Sequence, residues 1–213
     1  MIWPFICVDS FFDDPQGIKT WAETLEYHKE IYPGVRTKSL HESEPEFFEW
    51  INYKILALLY PMEDRTLTWN ASTAFSLVPP GIEYDGWVHT DSPAELTAII
   101  YLTNQPNCGT QIFTPITLGP RLIHHDKKIE YLKGNNVNNI KKLKEANNEQ
   151  FDVSITVKSC WNRLIIFDSS QYHATEPYMN NTTESRLTLV SFFNKIQHKD
   201  RALKLPIPEM RRR

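Results

Sequence analysis

The spacing of apolar and polar positions changes along this chain near residue 65. Before that point it is helical. In "DDPQGIKTWAETLEYHKEIY" a proline lies near the start, and Ile18, Trp21 and Leu25 recur at intervals of three and four, which predicts a first helix. In "EPEFFEWINYKILALLY" an apolar stripe of Phe47, Ile51, Ile55, Leu58 and Leu59 stops at Pro61 and predicts a second. Both helices are expected to cover one face of a sheet. Ahead of them, "MIWPFICVDSFF" reads as a first strand.

Beyond residue 65 the runs are short and of strand character: "TLTWNASTAFSLV" (66–78), "AELTAIIYLTN" (94–104), "TQIFTPIT" (110–117), "FDVSITVKS" (151–159), "RLIIFDSS" (163–170) and "RLTLVSFFNKI" (186–196). Gly, Asn or Pro separates them. Many short strands without helices between them predict a mainly β fold with flanking α, a double-stranded β-helix (jelly-roll) core with the N-terminal helices packed on one sheet. The expected layout is one domain. A strand and helices occupy 1–64, the jelly-roll core 65–198 and a tail 199–213. Within the core, residues 120–150 are polar, rich in Lys and Asn and partly helical in pattern, so they read as a surface insertion, either a lid or a decoration.

Composition narrows the functional classes. A length of 213 residues, with 41% hydrophobic and 23% charged, suits one soluble domain with a sizeable core. A net charge of −3 gives no electrostatic case for nucleic acid or for an anionic membrane. Cys7, Cys108 and Cys160 are odd in number and form no CxxC, so they read as reduced thiols of a cytoplasmic protein. The apolar start lacks a basic flank and carries Asp9, which argues against a signal peptide or a span.

The chemistry begins at "WVHTDS" (87–92), where His89 and Asp91 stand two apart. On a strand, residues i and i+2 point the same way, so an imidazole and a carboxylate can converge there. Seven histidines limit the search for a partner, and His173 follows directly on an apolar strand run in "RLIIFDSSQYHAT". His89, Asp91 and His173 make a 2-His-1-carboxylate set, which suits a non-haem Fe(II) site with open positions for oxygen chemistry. The bland alternative has Asp91 capping the Ser-Pro bend after it. Arg186 opens an otherwise apolar strand thirteen residues on from His173, and its guanidinium can take a carboxylate through two bonds, with Thr188 on the same face as a hydroxyl donor. As the alternative, Arg186 is an edge residue paired with Glu184 or Glu176.

Taken in order, "HTD" (89–91), "AIIYLTN" (98–104), "CGTQIF" (108–113), "RLIIFDSSQYHA" (163–174) and "SRLTL" (185–189) resemble the Fe(II)/2-oxoglutarate-dependent oxygenases, in particular their prolyl-4-hydroxylase-like branch. The similarity spans about residues 70 to 195. It implies a hydroxylase that uses Fe(II), 2-oxoglutarate and O2 and releases succinate and CO2. Arg186 and Thr188 would then hold the far carboxylate of 2-oxoglutarate, with Tyr101 as a further donor. The chain departs from the family pattern in three ways: Cys108-Gly109 stands where a Gly-Gly turn is usual, Thr103 stands where Asn is usual with Asn104 one place later, and the gap from Asp91 to His173 is wide. Asp91 is intact, which favours hydroxylation over halogenation.

The resemblance leaves the substrate open between a peptide or protein and a small molecule such as a free amino acid. Trp87, Tyr84 and Trp161 are candidates to line its entrance, or else pack the sheet. His124, His125 and Asp126 are adjacent and converge poorly as a second metal cluster. From other classes, the rivals are a jelly-roll module that binds metal without turnover and a Zn(II) or Mn(II) enzyme on the same barrel. The Arg-x-Thr pair would serve no purpose in the latter.

Overall fold

A computed structural model of the protein describes residues 5–29, 34–60, 67–84, 86–105, 107–117, 119–120, 137–179 and 183–198. The chain starts with β1 (Phe5–Val8), α1 (Pro15–Ala22), the pair β2 (Tyr27–Lys29) and β3 (Val35–Thr37), α2 (Leu40–Ser43) and α3 (Pro45–Leu59). It continues with β4 (Leu67–Val78), β5 (Glu83–Tyr84), β6 (Leu96–Tyr101), β7 (Thr110–Pro115), α4 (Val137–Asn148) and β8 (Phe151–Val157). The last strands are β9 (Arg163–Asp168), β10 (His173–Thr175), β11 (Tyr178–Met179) and β12 (Arg186–His198). A seven-stranded sheet has the order β1-β9-β6-β12-β4-β3-β2, a three-stranded sheet the order β10-β7-β8, and β5 pairs with β11. The two larger sheets face each other as a jelly roll.

Alternation along the strands divides the large sheet into two chemistries. On one face Leu187 and Leu189 of β12, Ala98 and Ile100 of β6 and Leu164 and Ile166 of β9 are buried under α3. On the other face Tyr101, Ile165 and Phe167 meet Ile112 and Val157 of the small sheet. The polar inward positions Thr97, Arg186 and Thr188 share this second face, the barrel interior.

The first helix is shorter than the periodicity predicts. It starts with Pro15 at its first position and Asp14 as cap, the carboxylate accepting from Gly17 N at 2.8 Å, and ends at Ala22. Tyr27–Lys29 then pair with β3 at the sheet edge, and that pairing replaces further helix. Ile18, Trp21 and Leu25 still pack on the helix-side core, so the apolar spacing reported burial correctly and length incorrectly. The second predicted helix is α3. Its buried stripe runs through Phe48, Ile51, Ile55 and Leu59, whereas Leu58 is 43% exposed. Among the described residues no helix is long and apolar enough to cross a membrane.

One polar group crosses the helix–sheet seam. Asn52 of α3, fully buried, donates through Nδ2 to Phe48 O at 2.8 Å and to Thr73 Oγ1 of β4 at 3.0 Å, and Thr73 Oγ1 lies 3.0 Å from Ser191 Oγ of β12. The network fixes α3 against the two longest strands. Asn52→Ala should lower the unfolding free energy by about 1–3 kcal/mol, since partners lose bonds in a buried setting. Urea denaturation with an unchanged m value checks this.

Candidate metal centre

His89, Asp91 and His173 come together in the barrel interior. Their ligand atoms all lie within 4.8 Å of one another. His173 opens β10 opposite Ile112, and His89 forms an antiparallel bridge to it: His89 N donates to His173 O at 3.0 Å and His173 N to His89 O at 2.9 Å. Asp91 N donates to Ser169 O at 2.9 Å, so the end of β9 holds the third ligand as well. Backbone pairing thus joins segments about eighty positions apart in the chain.

Each ring is turned by its own chain. His89 Nδ1 lies 2.7 Å from Trp87 O, and His173 Nδ1 lies 2.9 Å from Gln171 O. A carbonyl can only accept, so both Nδ1 atoms carry a proton, and each Nε2 is the atom left to face Asp91 or a metal. Those Nε2 atoms lie 3.4 Å (His89) and 3.1 Å (His173) from the two oxygens of Asp91. Phe167 packs edge-on against the His173 ring, centroids 4.7 Å apart.

The carboxylate is tied down too. Thr97 Oγ1 donates to Asp91 Oδ2 at 2.8 Å and itself lies 2.8 Å from Ser169 Oγ. Burial alone would push the Asp91 carboxyl up; the charge and hydrogen bonds of His173 and His89 outweigh it and hold the group well below the usual carboxylate range. The bend after Asp91, with a cis Ser92–Pro93 peptide, is closed by Ala94 N donating to Asp91 O at 2.9 Å. Its side chain is therefore not the cap of the Ser-Pro bend. Two imidazole Nε2 atoms, which bind a metal in their neutral form, and one ionised carboxylate, all on one side, form a donor set that fits a divalent metal with further positions open.

Arg186, Thr188 and Tyr101 share the inward face. Thr188 stands directly opposite Tyr101 across β12 and β6, and the Arg186 guanidinium carbon lies 5.7 Å from the Tyr101 ring centre. Arg186 donates through an Nη to Cys108 O at 3.0 Å. Glu176 meets Lys158 at 2.9 Å, and Glu184 meets Lys19 at 3.6 Å. Burial pushes the Tyr101 phenol up to about 12, against a smaller opposing effect of Arg186, so the group is a donor at neutral pH. Its hydroxyl lies 2.8 Å from Thr110 Oγ1. Gly109 stands next to this cluster, where a Cβ would meet Val157 O at 1.9 Å. The single glycine of the Cys108-Gly109 pair is thus the one the packing demands.

The aromatic candidates fare differently. Trp87 is buried, and its carbonyl is the partner of His89 Nδ1. Trp161 packs against the helix-side core. The backbone of Tyr84 lies in β5, and its side chain lies outside the described residues, as do His124, His125 and Asp126. Sequence reasoning passed over Thr97, Ser169 and Thr110. Thr97 was within reach, because it shares its face of β6 with Tyr101 at i+4. Ser169 and Thr110 became visible only with the pairing of the sheets.

A family model described as a family of unknown function, DUF6445, matches residues 3–193. No curated protein matches. Among solved structures, the non-heme alpha ketoglutarate dependent carbocyclase SnoK from nogalamycin biosynthesis superposes with a TM-score of 0.60 at 12% identity, covering 90% of this chain and 79% of its own. AviO1 from Streptomyces viridochromogenes gives 0.56 at 15%, covering 96% and 93%. HygX from Streptomyces hygroscopicus, solved with nickel and 2-oxoglutarate, gives 0.51 at 13%, covering 90% and 82%. At these identities the likeness is one of fold.

Two substitutions separate ligand from support. Asp91→Ala should abolish stoichiometric uptake of Co(II), used as an air-stable divalent probe. Thr97→Val should weaken it about 10- to 100-fold, as loss of a hydrogen bond to a ligand does. Calorimetric titration of the metal-free protein measures both.

Proposed function

The chain belongs to DUF6445, a family of unknown function, and we propose that it is an Fe(II)- and 2-oxoglutarate-dependent dioxygenase that hydroxylates an unactivated C–H bond. The observation that carries this reading is the convergence of His89, Asp91 and His173 with both Nδ1 atoms committed to carbonyls, on the inward face that also holds Arg186 and Thr188. SnoK is alpha ketoglutarate dependent and HygX was solved with 2-oxoglutarate bound, which supports the choice of co-substrate.

When bound, iron with 2-oxoglutarate and O2 would supply the oxidation, with one oxygen atom entering the substrate C–H bond and the other entering succinate with loss of CO2. The protein supplies orientation and a dry enclosure. His89, His173 and Asp91 would hold the metal, and Asp91 offsets part of its charge. Arg186 would take the far carboxylate of 2-oxoglutarate, with the Thr188 hydroxyl and the protonated Tyr101 phenol as further donors. The residues named need no general acid or base.

The sequence resemblance supports a peptide or protein substrate of prolyl-hydroxylase-like type. A small-molecule substrate is the second reading, favoured by the origin of SnoK in nogalamycin biosynthesis. Trp87 is assigned to positioning His89 and not to substrate.

The test is an anaerobic titration of 2-oxoglutarate into Fe(II)-loaded protein, followed by its visible charge-transfer band. A band is expected for the native chain, with Arg186→Ala needing about 10- to 100-fold more co-substrate, since a hydrogen bond to a charged group is lost. With iron bound and no band, the reading falls in favour of a metal-binding module without turnover. Aerobic incubation with Pro-containing peptides and free amino acids, scored for a gain of one oxygen, then separates the two substrate classes.

A further inference from the structure

We propose that Asn147 and Asn148, at the end of α4, are positioning residues for the metal centre. The inference rests on the metal-binding reading above. The segment 86–89 runs along an edge of the small sheet, and among the described residues β10 is the strand that pairs with it. Along such a segment successive residues direct their N–H and C=O groups to opposite sides. His89 uses both of its groups on His173. Val88 therefore points both of its groups away from the sheet, where an unpaired edge would meet solvent or another strand.

The two asparagines fill that place. Asn148 Oδ1 accepts from Val88 N at 3.0 Å, and Asn148 Nδ2 donates to Gly86 O at 2.8 Å. One side-chain amide thus offers an acceptor and a donor as a peptide group of a neighbouring strand would. Asn147, fully buried, donates through Nδ2 to Val88 O at 3.0 Å and to Asn148 Oδ1 at 3.2 Å. Among the backbone groups of 86–88, the next carbonyl in line, Trp87 O, is the partner of His89 Nδ1. The orientation of the His89 ring thus depends on a peptide plane flanked on both sides by asparagine contacts.

The asparagines are themselves fixed. Only Glu149 and Gln150 separate them from Phe151, where β8 begins, and Val88, Phe113, Phe151 and Ala174 pack as one cluster. Gly86 completes the fit, because a Cβ there would meet Thr175 O at 2.2 Å. The described part of the insertion is accordingly a support for a ligand-bearing segment.

Hydrogen exchange on the metal-free protein and Co(II) titration test this together, on Asn148→Ala and Asn147→Ala. Expected are amide exchange at least tenfold faster at Val88 and His89, and Co(II) affinity lower by about tenfold or more, in line with outer contacts to metal ligands. Asn52→Ala serves as the control for general loss of stability: it should lower Tm and leave Co(II) affinity unchanged. The inference is overturned if Asn148→Ala either exchanges at Val88 and His89 or binds Co(II) as the native chain does, or if Asn52→Ala loses affinity equally. A native chain that takes up no Co(II) sinks the metal-centre reading and this inference with it. Native uptake with unchanged uptake by Asn148→Ala sinks this inference alone.

Discussion

The reciprocal backbone bridge between His89 and His173 is the contact on which the site depends. Two hydrogen bonds of ordinary length bring together parts of the chain that lie far apart in sequence. They set the two imidazoles side by side, ring centroids 4.4 Å apart. Each ring is then oriented within its own segment, by the carbonyl two residues back. Sheet pairing sets where the rings are, and the local carbonyl sets which nitrogen faces inward.

That arrangement carries an electrostatic cost. Asp91 is an ionised group with little access to water, and an unpaired buried charge is strongly disfavoured. Here its two oxygens face two imidazoles and the Thr97 hydroxyl. The same logic holds at the other end of the interior, where Arg186 is buried against the Tyr101 ring and the Cys108 carbonyl. Opposite charges are thus held apart along one sheet face, each met by groups of matching polarity.

Much of this was legible in the sequence, because the residue types are demanding. The strand runs from Thr66 to Ile196 match the observed β4, β6, β7, β8, β9 and β12 within a few residues, since alternation and β-branched content report half-buried strands directly. The His-x-Asp pair and the later His were found by their i, i+2 spacing and by elimination among seven histidines. Short pieces escaped. Tyr27–Lys29 looks helical in isolation and becomes a strand only because Val35–Thr37 lies beside it. Asn147 and Asn148 sit in "EANNEQ", part of the polar stretch read as a surface insertion, and nothing local announces that their amides meet the backbone of a segment about sixty positions earlier. Thr97 is an ordinary strand residue until Asp91 is placed next to it.

Strand β12 keeps its two duties on separate faces. Leu187 and Leu189 seal the helix-side core, while Arg186 and Thr188 look into the barrel. Inheritance can therefore act on one face without disturbing the other. A descendant that exchanged Arg186 for a neutral residue would keep its packed core and its three metal ligands and lose only the cation held at the far end of the interior. Within such a lineage, the charge of the interior and the packing of the core change by separate codons.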